Sequence, residues 1–180
     1  MAILPIYETP DPVLRQISSP VEEINAELQT LIDDMFATMY AAPGIGLAAI
    51  QVGVPKRLLV IDLQEPEEED GDPVKDPRVF INPEILEESE ITVPYNEGCL
   101  SVPDQYAEVM RPDRVRARWQ DRDGKVHEEW LDGLLATCLQ HEIDHLNGVL
   151  FIDHLSRLKR DMLLKKLVKA RRETATRRAA

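Results

Sequence analysis

The first regular pattern along the chain is a stripe of apolar residues in its N-terminal quarter. Apolar side chains recur there at spacings of three and four residues, the period of one helix face. They are Ile24, Leu28, Leu31, Ile32, Met35 and Met39. Ahead of the stripe, Ser19-Pro20-Val21-Glu22 combines an N-cap serine, a proline suited to the first helical position and a capping-box glutamate. The pattern predicts an amphipathic helix that begins at Ser19 and ends near Tyr40.

Patterns typical of strands follow this helix. Arg57–Leu63 is a short, mostly apolar run that predicts a buried strand, and Arg78–Ile81 predicts another. The acidic run Gln64–Asp76 between them predicts a solvated loop. From Asn82-Pro83 through Pro94 no period is evident, so this segment is expected to be irregular.

A hairpin is predicted in the third quarter of the chain. Asp113–Gln120 alternates apolar with charged side chains, which is typical of a strand with one face in water. Asp121–Gly124 supplies a turn, and Lys125–Leu131 supplies the second strand.

Two further helices complete the predicted fold. Apolar residues between Leu134 and Leu146 suit a buried helix that ends at Asn147-Gly148, and Ser156 can cap a final helix. Runs of strands followed by runs of helices indicate an α+β fold. Residues 1–156 are expected to form a single domain, and residues 157–180 a basic C-terminal helix and tail.

Charge divides the chain into two parts. The net charge is −12 over 180 residues, yet residues 157–180 hold ten Lys and Arg against two acidic residues. The acidic body therefore offers nothing for specific DNA binding, whereas the tail suits a polyanion. The chain has two cysteines, no apolar run long enough to span a bilayer and no signal-peptide core. We expect a cytoplasmic protein that does not bind membranes.

The candidate chemistry lies in the helix that ends at Asn147, where His141, Glu142 and His145 form an H-E-x-x-H motif. Because the histidines are four residues apart, both imidazoles share one helix face and can reach a single metal ion, with the carboxylate beside its open position. The alternative is a pair of core histidines bonded to backbone carbonyls. Two histidines with an intervening glutamate, in a chain of four histidines, favour the metal site.

A catalytic site of this type needs a third protein ligand. Zinc proteases with this motif take it from a histidine at the position of Phe151, or from a later glutamate, and none occurs from His154 to Arg172. Both protease classes are therefore disfavoured. Cys99 and Cys138 remain as candidates, and a ligand from a separate loop closes a tetrahedron more easily, which favours Cys99.

Three segments together resemble the peptide deformylase family: Gly44–Gln51, Glu97–Ser101 and His141–His145. They occur in the family's order, and the likeness continues beyond the metal helix. The resemblance implies antiparallel β-sheets packed around a central metal-binding helix, with an N-terminal and a C-terminal helix. It implies a catalytic domain that removes the formyl group from the formyl-methionine of new polypeptides and releases formate. The basic C-terminal helix resembles that of the bacterial type, in which this helix docks on the ribosome.

The resemblance also implies a role for each matching residue. The implied metal ligands, with water as the fourth, are Cys99, His141 and His145. Glu142 would act as general base and acid while the water attacks the formyl carbon. The side-chain amide of Gln51 and the backbone N–H of Leu100 would stabilise the oxyanion.

Five further residues are implied at the substrate site. Gly44 and Gly46 would let the backbone pair with the N-formyl-Met peptide as an added strand. The others are Glu97, Gly98 and Cys138, the last as a small buried side chain. Glu97 is also expected to pair with Arg111. At the pocket mouth Tyr106 stands where close relatives have arginine, so recognition of the peptide departs from theirs.

One divalent ion per chain is implied. Fe²⁺ is the ion that the resemblance favours, with Zn²⁺, Ni²⁺ or Co²⁺ as replacements, because one thiolate and two imidazoles suit all of them. Two other functions stay open at this point. One is an amidase or peptidase that uses the same ligands on another small acyl group; the other is a metal-stabilised binding module without a reaction.

Overall fold

Seven strands and three α-helices make up the part of the chain that a computed structural model describes, residues 1–66 and 71–179, with side chains up to residue 173. The helices are α1 (Ala26–Ala41), α2 (Gly133–Leu146) and α3 (Arg157–Ala179). The strands are β1 (Gly46–Ala48), β2 (Leu58–Ile61), β3 (Arg78–Glu88), β4 (Thr92–Cys99), β5 (Val102–Pro112), β6 (Arg114–Gln120) and β7 (Val126–Asp132). Short 3₁₀ helices cover Pro12–Arg15, Ala49–Val52 and Phe151–His154. Residues 67–70 of the predicted acidic loop lie outside the described residues.

The described strands form two antiparallel sheets. Five of them lie in the order β1-β2-β3-β6-β7, and β4 pairs with β5 in a separate sheet. The predicted hairpin is present as β6 and β7, with Gln120 opposite Val126 beside the turn. The predicted α+β class is therefore confirmed.

Helices cover both faces of the five-stranded sheet around β2. Leu58 of β2 packs in a cluster with Ile32 of α1, whereas Leu59 packs in a cluster with Leu139 of α2. A strand buried on both faces has no polar positions, which explains the continuous apolar run of β2. Helix α2 lies in the core, as the sequence predicted.

Helix α1 begins later than the capping box predicted. Its N-cap is Asn25, whose side chain accepts from Leu28 N at 3.0 Å, and the helix runs from Ala26. Ser19 instead forms a parallel bridge with Lys56, and Val21 N donates to Asn82 Oδ1 at 2.8 Å. The predicted start was wrong because distant parts of the chain hold this segment's backbone extended. Four of the six residues of the predicted apolar stripe are buried, and Ile24 and Leu31 are half-buried.

The segment predicted to be irregular is largely strand. The β3–β6 register shifts between Ile81 and Glu84, on either side of Asn82-Pro83, and pairing then continues to Glu88. Proline has no N–H to donate to the backbone hydrogen bonds of a sheet, and the bulge accommodates it. Pro94 lies in β4, which among the described strands pairs with β5 alone, so its other edge needs no donor.

Helix α3 packs on the body through two leucines. Leu163 and Leu167 are buried in a cluster with Val109 of β5. Leu158 and Val168 of the same helix are 72% and 46% exposed. They lie five residues before Leu163 and one after Leu167, so they point to other sides of the helix. None of the described helices is both long and apolar enough to cross a membrane.

Candidate active site and metal centre

Two histidines project from one face of α2. His141 and His145 lie one turn apart, with their ring centroids separated by 5.0 Å. His145 is fully buried and His141 nearly so. Leu139 and Ile143 of the same helix pack into the core beneath the sheet, so core packing fixes the rotation of α2.

Cys99 approaches the histidines from the end of β4. The β4–β5 register shifts between Gly98 and Cys99, and such a bulge redirects the next side chain. The ligand atoms of Cys99, His141 and His145 all lie within 4.8 Å of one another, and Cys99 Sγ is 3.2 Å from His145 Nε2. The structure therefore brings together a thiol and two imidazoles in an arrangement that could hold a metal ion.

Cys138, the other candidate ligand, lies outside this group. Burial raises the pKa of its thiol well above the ordinary value. A thiol that stays protonated is a poor metal ligand, because the thiolate is the form that binds. Its environment is that of a small buried side chain beside Gly46.

Glu97 forms a hydrogen bond with the ring of His141. Its Oε2 is 2.8 Å from His141 Nδ1, and both carboxylate oxygens accept from Arg111. Burial raises the pKa of Glu97, but the hydrogen bonds from His141 and Arg111 outweigh burial and lower it to about 2. A carboxylate on Nδ1 keeps the proton there and leaves Nε2 free to bind a metal. The ion pair expected between Glu97 and Arg111 is thus present.

Glu142 is a buried carboxyl group next to this cluster. Burial raises its pKa to about 7. Its Oε2 is a buried atom without a hydrogen-bond partner among the described residues. A carboxyl group with this pKa can both take and return a proton near neutral pH.

Gly46 brings the backbone of edge strand β1 against Glu142. A Cβ atom at this position would lie 2.5 Å from Glu142 Oε1 and 2.8 Å from Cys138 Sγ. No residue with a side chain fits there without a shift of its neighbours. Glycine at position 46 therefore allows the β1 backbone to approach Glu142 and Cys138 closely.

These groups line one cavity of about 560 Å³. A cavity of this size suits a small molecule or a peptide end. His145 lies behind its wall. The predicted site residues that line it are Gly44, Gly46, Gln51, Glu97, Gly98, Cys99, Leu100, Cys138, His141 and Glu142.

Comparison with known proteins agrees with this site. The family model for polypeptide deformylase matches residues 3–161. The chain belongs to the polypeptide deformylase family. A peptide deformylase from Rhizorhabdus wittichii is 69% identical over 172 residues, which cover 96% of this chain and 97% of that protein. The crystal structure of a peptide deformylase from Legionella pneumophila superposes with a TM-score of 0.87 at 49% identity, covering 97% of this chain and 98% of that one.

A third relative was solved with a bound peptide. It is a class I type b peptide deformylase from Acinetobacter baumannii in its Met-Ala-Ser-bound form, with a TM-score of 0.78, 35% identity and coverage of 86% of this chain and 99% of that chain. Deformylases are metal-dependent hydrolases that remove the N-formyl group from new polypeptides, and this activity is that of the present chain.

Within this deformylase site, the amide of Gln51 is held at both ends. Its Oε1 accepts from Ala48 N at 2.8 Å, and its Nε2 donates to Ser101 Oγ at 3.0 Å. Nε2 also lies 3.6 Å from Cys99 Sγ. The N–H end of the amide therefore faces the Cys99 side of the cavity.

Two residues of the deformylase site were not singled out from the sequence. Ser101 is fully buried, accepts from Gln51 and donates its backbone N–H to Cys99 Sγ at 3.4 Å. Asp144 accepts from Arg111 at 2.9 Å and lies 2.7 Å from His154 Nε2. The signal available for each was its place inside a metal-binding motif, but their partners are distant in sequence.

Tyr106 forms part of the cavity rim in this deformylase. It stands opposite Gly98 in the β4–β5 pair, and a Cβ atom at Gly98 would lie 2.5 Å from Tyr106 Cε1. The tyrosine is 67% exposed. Across the cavity, a Cβ atom at Gly44 would lie 2.8 Å from Leu100 Cδ1. Glycines therefore permit close packing on both sides of the opening.

Proposed function

We propose that this cavity hydrolyses N-formyl-methionyl peptides, with Cys99, His141 and His145 holding one divalent metal ion. The convergence of three ligand atoms within 4.8 Å, in a site that contains Glu142, carries the proposal. The donors fit such an ion, because one thiol and two imidazoles leave a fourth position open. When bound, the ion supplies a Lewis acid that polarises the formyl oxygen and makes water nucleophilic at neutral pH.

Glu142 transfers the proton in this proposal. It accepts a proton from the water whose oxygen bonds to the formyl carbon. It then returns that proton to the methionine nitrogen as the C–N bond breaks. The products are formate and a peptide with a free amino terminus, and the pKa of about 7 suits both transfers.

The negative charge that develops on the formyl oxygen needs fixed donors. We assign this role to Gln51 Nε2 and to the backbone N–H of Leu100. The hydrogen bond from Ala48 N to Gln51 Oε1 supports the assignment, because it orients the amide before substrate binds. Glu97 is assigned to hold the tautomer of His141 at the cavity wall.

The peptide is proposed to lie along the free edge of β1. Asp62 N donates to Ile45 O at 2.9 Å, so strand alternation turns the N–H and C=O of Gly46 away from β2. An extended peptide can pair with such an edge, with Gly44 and Gly98 leaving room for its backbone. Cys138 would line the methionine pocket. The Met-Ala-Ser bound to the Acinetobacter baumannii relative supports peptide binding here.

We further propose Fe²⁺ as the resident ion, on the strength of the resemblance noted from the sequence. Zn²⁺, Ni²⁺ and Co²⁺ suit the same donors. Metal analysis of anaerobically purified protein, paired with activity of the same sample, tests this. Activity that follows zinc rather than iron content would contradict it.

Formate release separates this reaction from its nearest alternative. The protein should release formate from formyl-Met-Ala-Ser and leave acetyl-Met-Ala-Ser intact, because the extra methyl group occupies space beside the reacting carbon. Equal rates on both peptides would instead indicate a general amidase. A metal-binding protein that hydrolyses neither would indicate a binding module.

The C-terminal helix is proposed to dock on ribosomal RNA in the cytoplasm. Residues 1–156 would form the catalytic domain and 157–180 the docking element. Leu163 and Leu167 hold the helix on the body, and Lys159, Lys165 and Lys166 remain exposed beside them. The side chains of Arg177 and Arg178 lie outside the described residues. Docking would raise the enzyme's concentration near emerging chains.

A further inference from the structure

A buried hydrogen-bond network lies beside the edge strand β1. At its centre is Asp62, which directly follows β2 and is fully buried. Its Oδ2 accepts from the hydroxyl of Tyr40 at 2.5 Å, and its Oδ1 accepts from Gln64 N and Asp76 N, each at 3.1 Å. One carboxylate therefore joins the last turn of α1 to both ends of the acidic loop.

The same network reaches the backbone that leads into β1. The N–H of Asp62 donates to Ile45 O at 2.9 Å, and Gln64 Nε2 donates to Gly44 O at 3.3 Å. From α1, Met39 O accepts from Gly44 N at 2.9 Å. Gly44 and Ile45 are thus held by hydrogen bonds to Met39 at the end of α1 and to Asp62 and Gln64 after β2.

A network of this kind is a costly way to stabilise a fold. A buried carboxylate loses its hydration, and an apolar side chain in its place is often no less stabilising. The carboxylate instead contributes to positioning. Each group that donates a hydrogen bond to it is held at a defined place, and so is the chain segment that carries the donor. Burial and the hydrogen bond to Asp62 raise the pKa of Tyr40, so its hydroxyl stays a donor. Lys75 Nζ lies 4.1 Å above the centre of the Tyr40 ring.

We infer that Asp62, Tyr40 and Gln64 are positioning residues that hold the Gly44–Ile45 backbone in place against the part of the peptide beyond formyl-methionine. The inference rests on the proposed binding of substrate along β1. Gly46 lies against Glu142 and so meets the reacting end of the substrate. Gly44, two residues earlier and roughly 7 Å away along an extended chain, meets the following residues. The network should therefore govern the binding of peptides rather than the chemical step.

Tyr40→Phe tests the inference because it removes one hydroxyl and keeps the ring. With formyl-Met-Ala-Ser, we expect KM to rise about three- to tenfold, the effect of one buried hydrogen bond, while kcat changes less than about twofold. With formyl-methionine amide, which lacks the later residues, KM should change less than about twofold. Gln64→Ala, which removes the contact with Gly44 O, should show the same dependence on peptide length. Tyr7→Phe, a hydroxyl deletion outside the network, is the matched control and should change neither substrate's constants.

Equal losses of kcat/KM on the two substrates, or a lower metal content in Tyr40→Phe, would overturn the inference and assign the network to general stability. An unchanged KM for the tripeptide would also overturn it. The wild-type protein separates these results from a failure of the proposed peptide binding. If it hydrolyses both substrates with the same KM, pairing along β1 is itself wrong; if it prefers the tripeptide and Tyr40→Phe keeps that preference, only the network is wrong.

Discussion

The two cysteines differ in their surroundings more than in their chemistry. Cys99 sits at a bulge that turns its sulfur toward His145, and Ser101 N donates to that sulfur. Cys138 lies against Gly46, where burial raises the pKa of its thiol. A dry environment disfavours the thiolate, which is the form that binds a metal, so Cys138 is the poorer ligand.

Replacement of each cysteine by alanine should separate these roles. Cys99→Ala should lose bound metal and activity together, because it removes a ligand. Cys138→Ala should keep a full equivalent of metal, with at most a modest fall in stability from the small cavity left behind. Metal content per chain after dialysis measures both variants. Loss of metal from Cys138→Ala alone would show that the ligand assignment is wrong.

At the scale of elements, the buried part of the contact between α3 and the body is formed by two leucines. Leu163 and Leu167 supply its buried side chains in a cluster with β5. Leu163→Ala should lower the free energy of unfolding by about 2–3 kcal/mol, because it leaves a cavity in that contact. Leu158→Ala is the matched control at a 72% exposed position of the same helix, and should change it by less than about 0.5 kcal/mol. Urea denaturation measures both, and equal effects would mean that α3 is not docked as described.

Elements with a strong local period could be predicted, and those held by distant partners could not. Leu139 and Ile143 repeat at helical spacing, so α2 was evident from the sequence. The capping signal at Ser19 was misleading because Lys56 and Asn82 pair with that segment in the folded chain. The sequence predicted that β3 ends at Ile81, before Asn82-Pro83. The strand continues because a bulge accommodates the proline, and this bulge depends on pairing with β6.

The residues of the site also divide into those that could be predicted from local sequence and those that could not. His141, Glu142 and His145 share one motif on one helix, so their proximity follows from helix geometry. Motif order and loop geometry predicted that Cys99 lies near them. Its distance from His145 depends on the folded structure and could not be predicted. Ser101 and the Asp62 network could not be predicted, because their roles consist of hydrogen bonds to residues far away in sequence.

Over the whole molecule, charge is segregated between an acidic body and a basic C-terminal helix. Lys165→Glu combined with Lys166→Glu changes two exposed residues without touching Leu163 or Leu167. This variant should lose salt-sensitive co-sedimentation with ribosomes yet keep its rate on formyl-Met-Ala-Ser, since docking and chemistry lie in different parts of the chain. The control, Lys56→Glu combined with Lys125→Glu, makes the same charge change on the body and should still co-sediment. Undiminished ribosome binding by the helix variant would contradict the docking proposal.

The central claim is that Glu142 moves the proton in a site whose metal is held by other residues. Glu142→Gln keeps the size and shape of the side chain and removes its capacity to accept a proton. Formate release from formyl-Met-Ala-Ser, measured together with metal content on the same sample, tests the claim most directly. The account predicts a full equivalent of metal with kcat lower by about 10²- to 10⁴-fold. Near-normal turnover, or loss of the metal along with the activity, would contradict it.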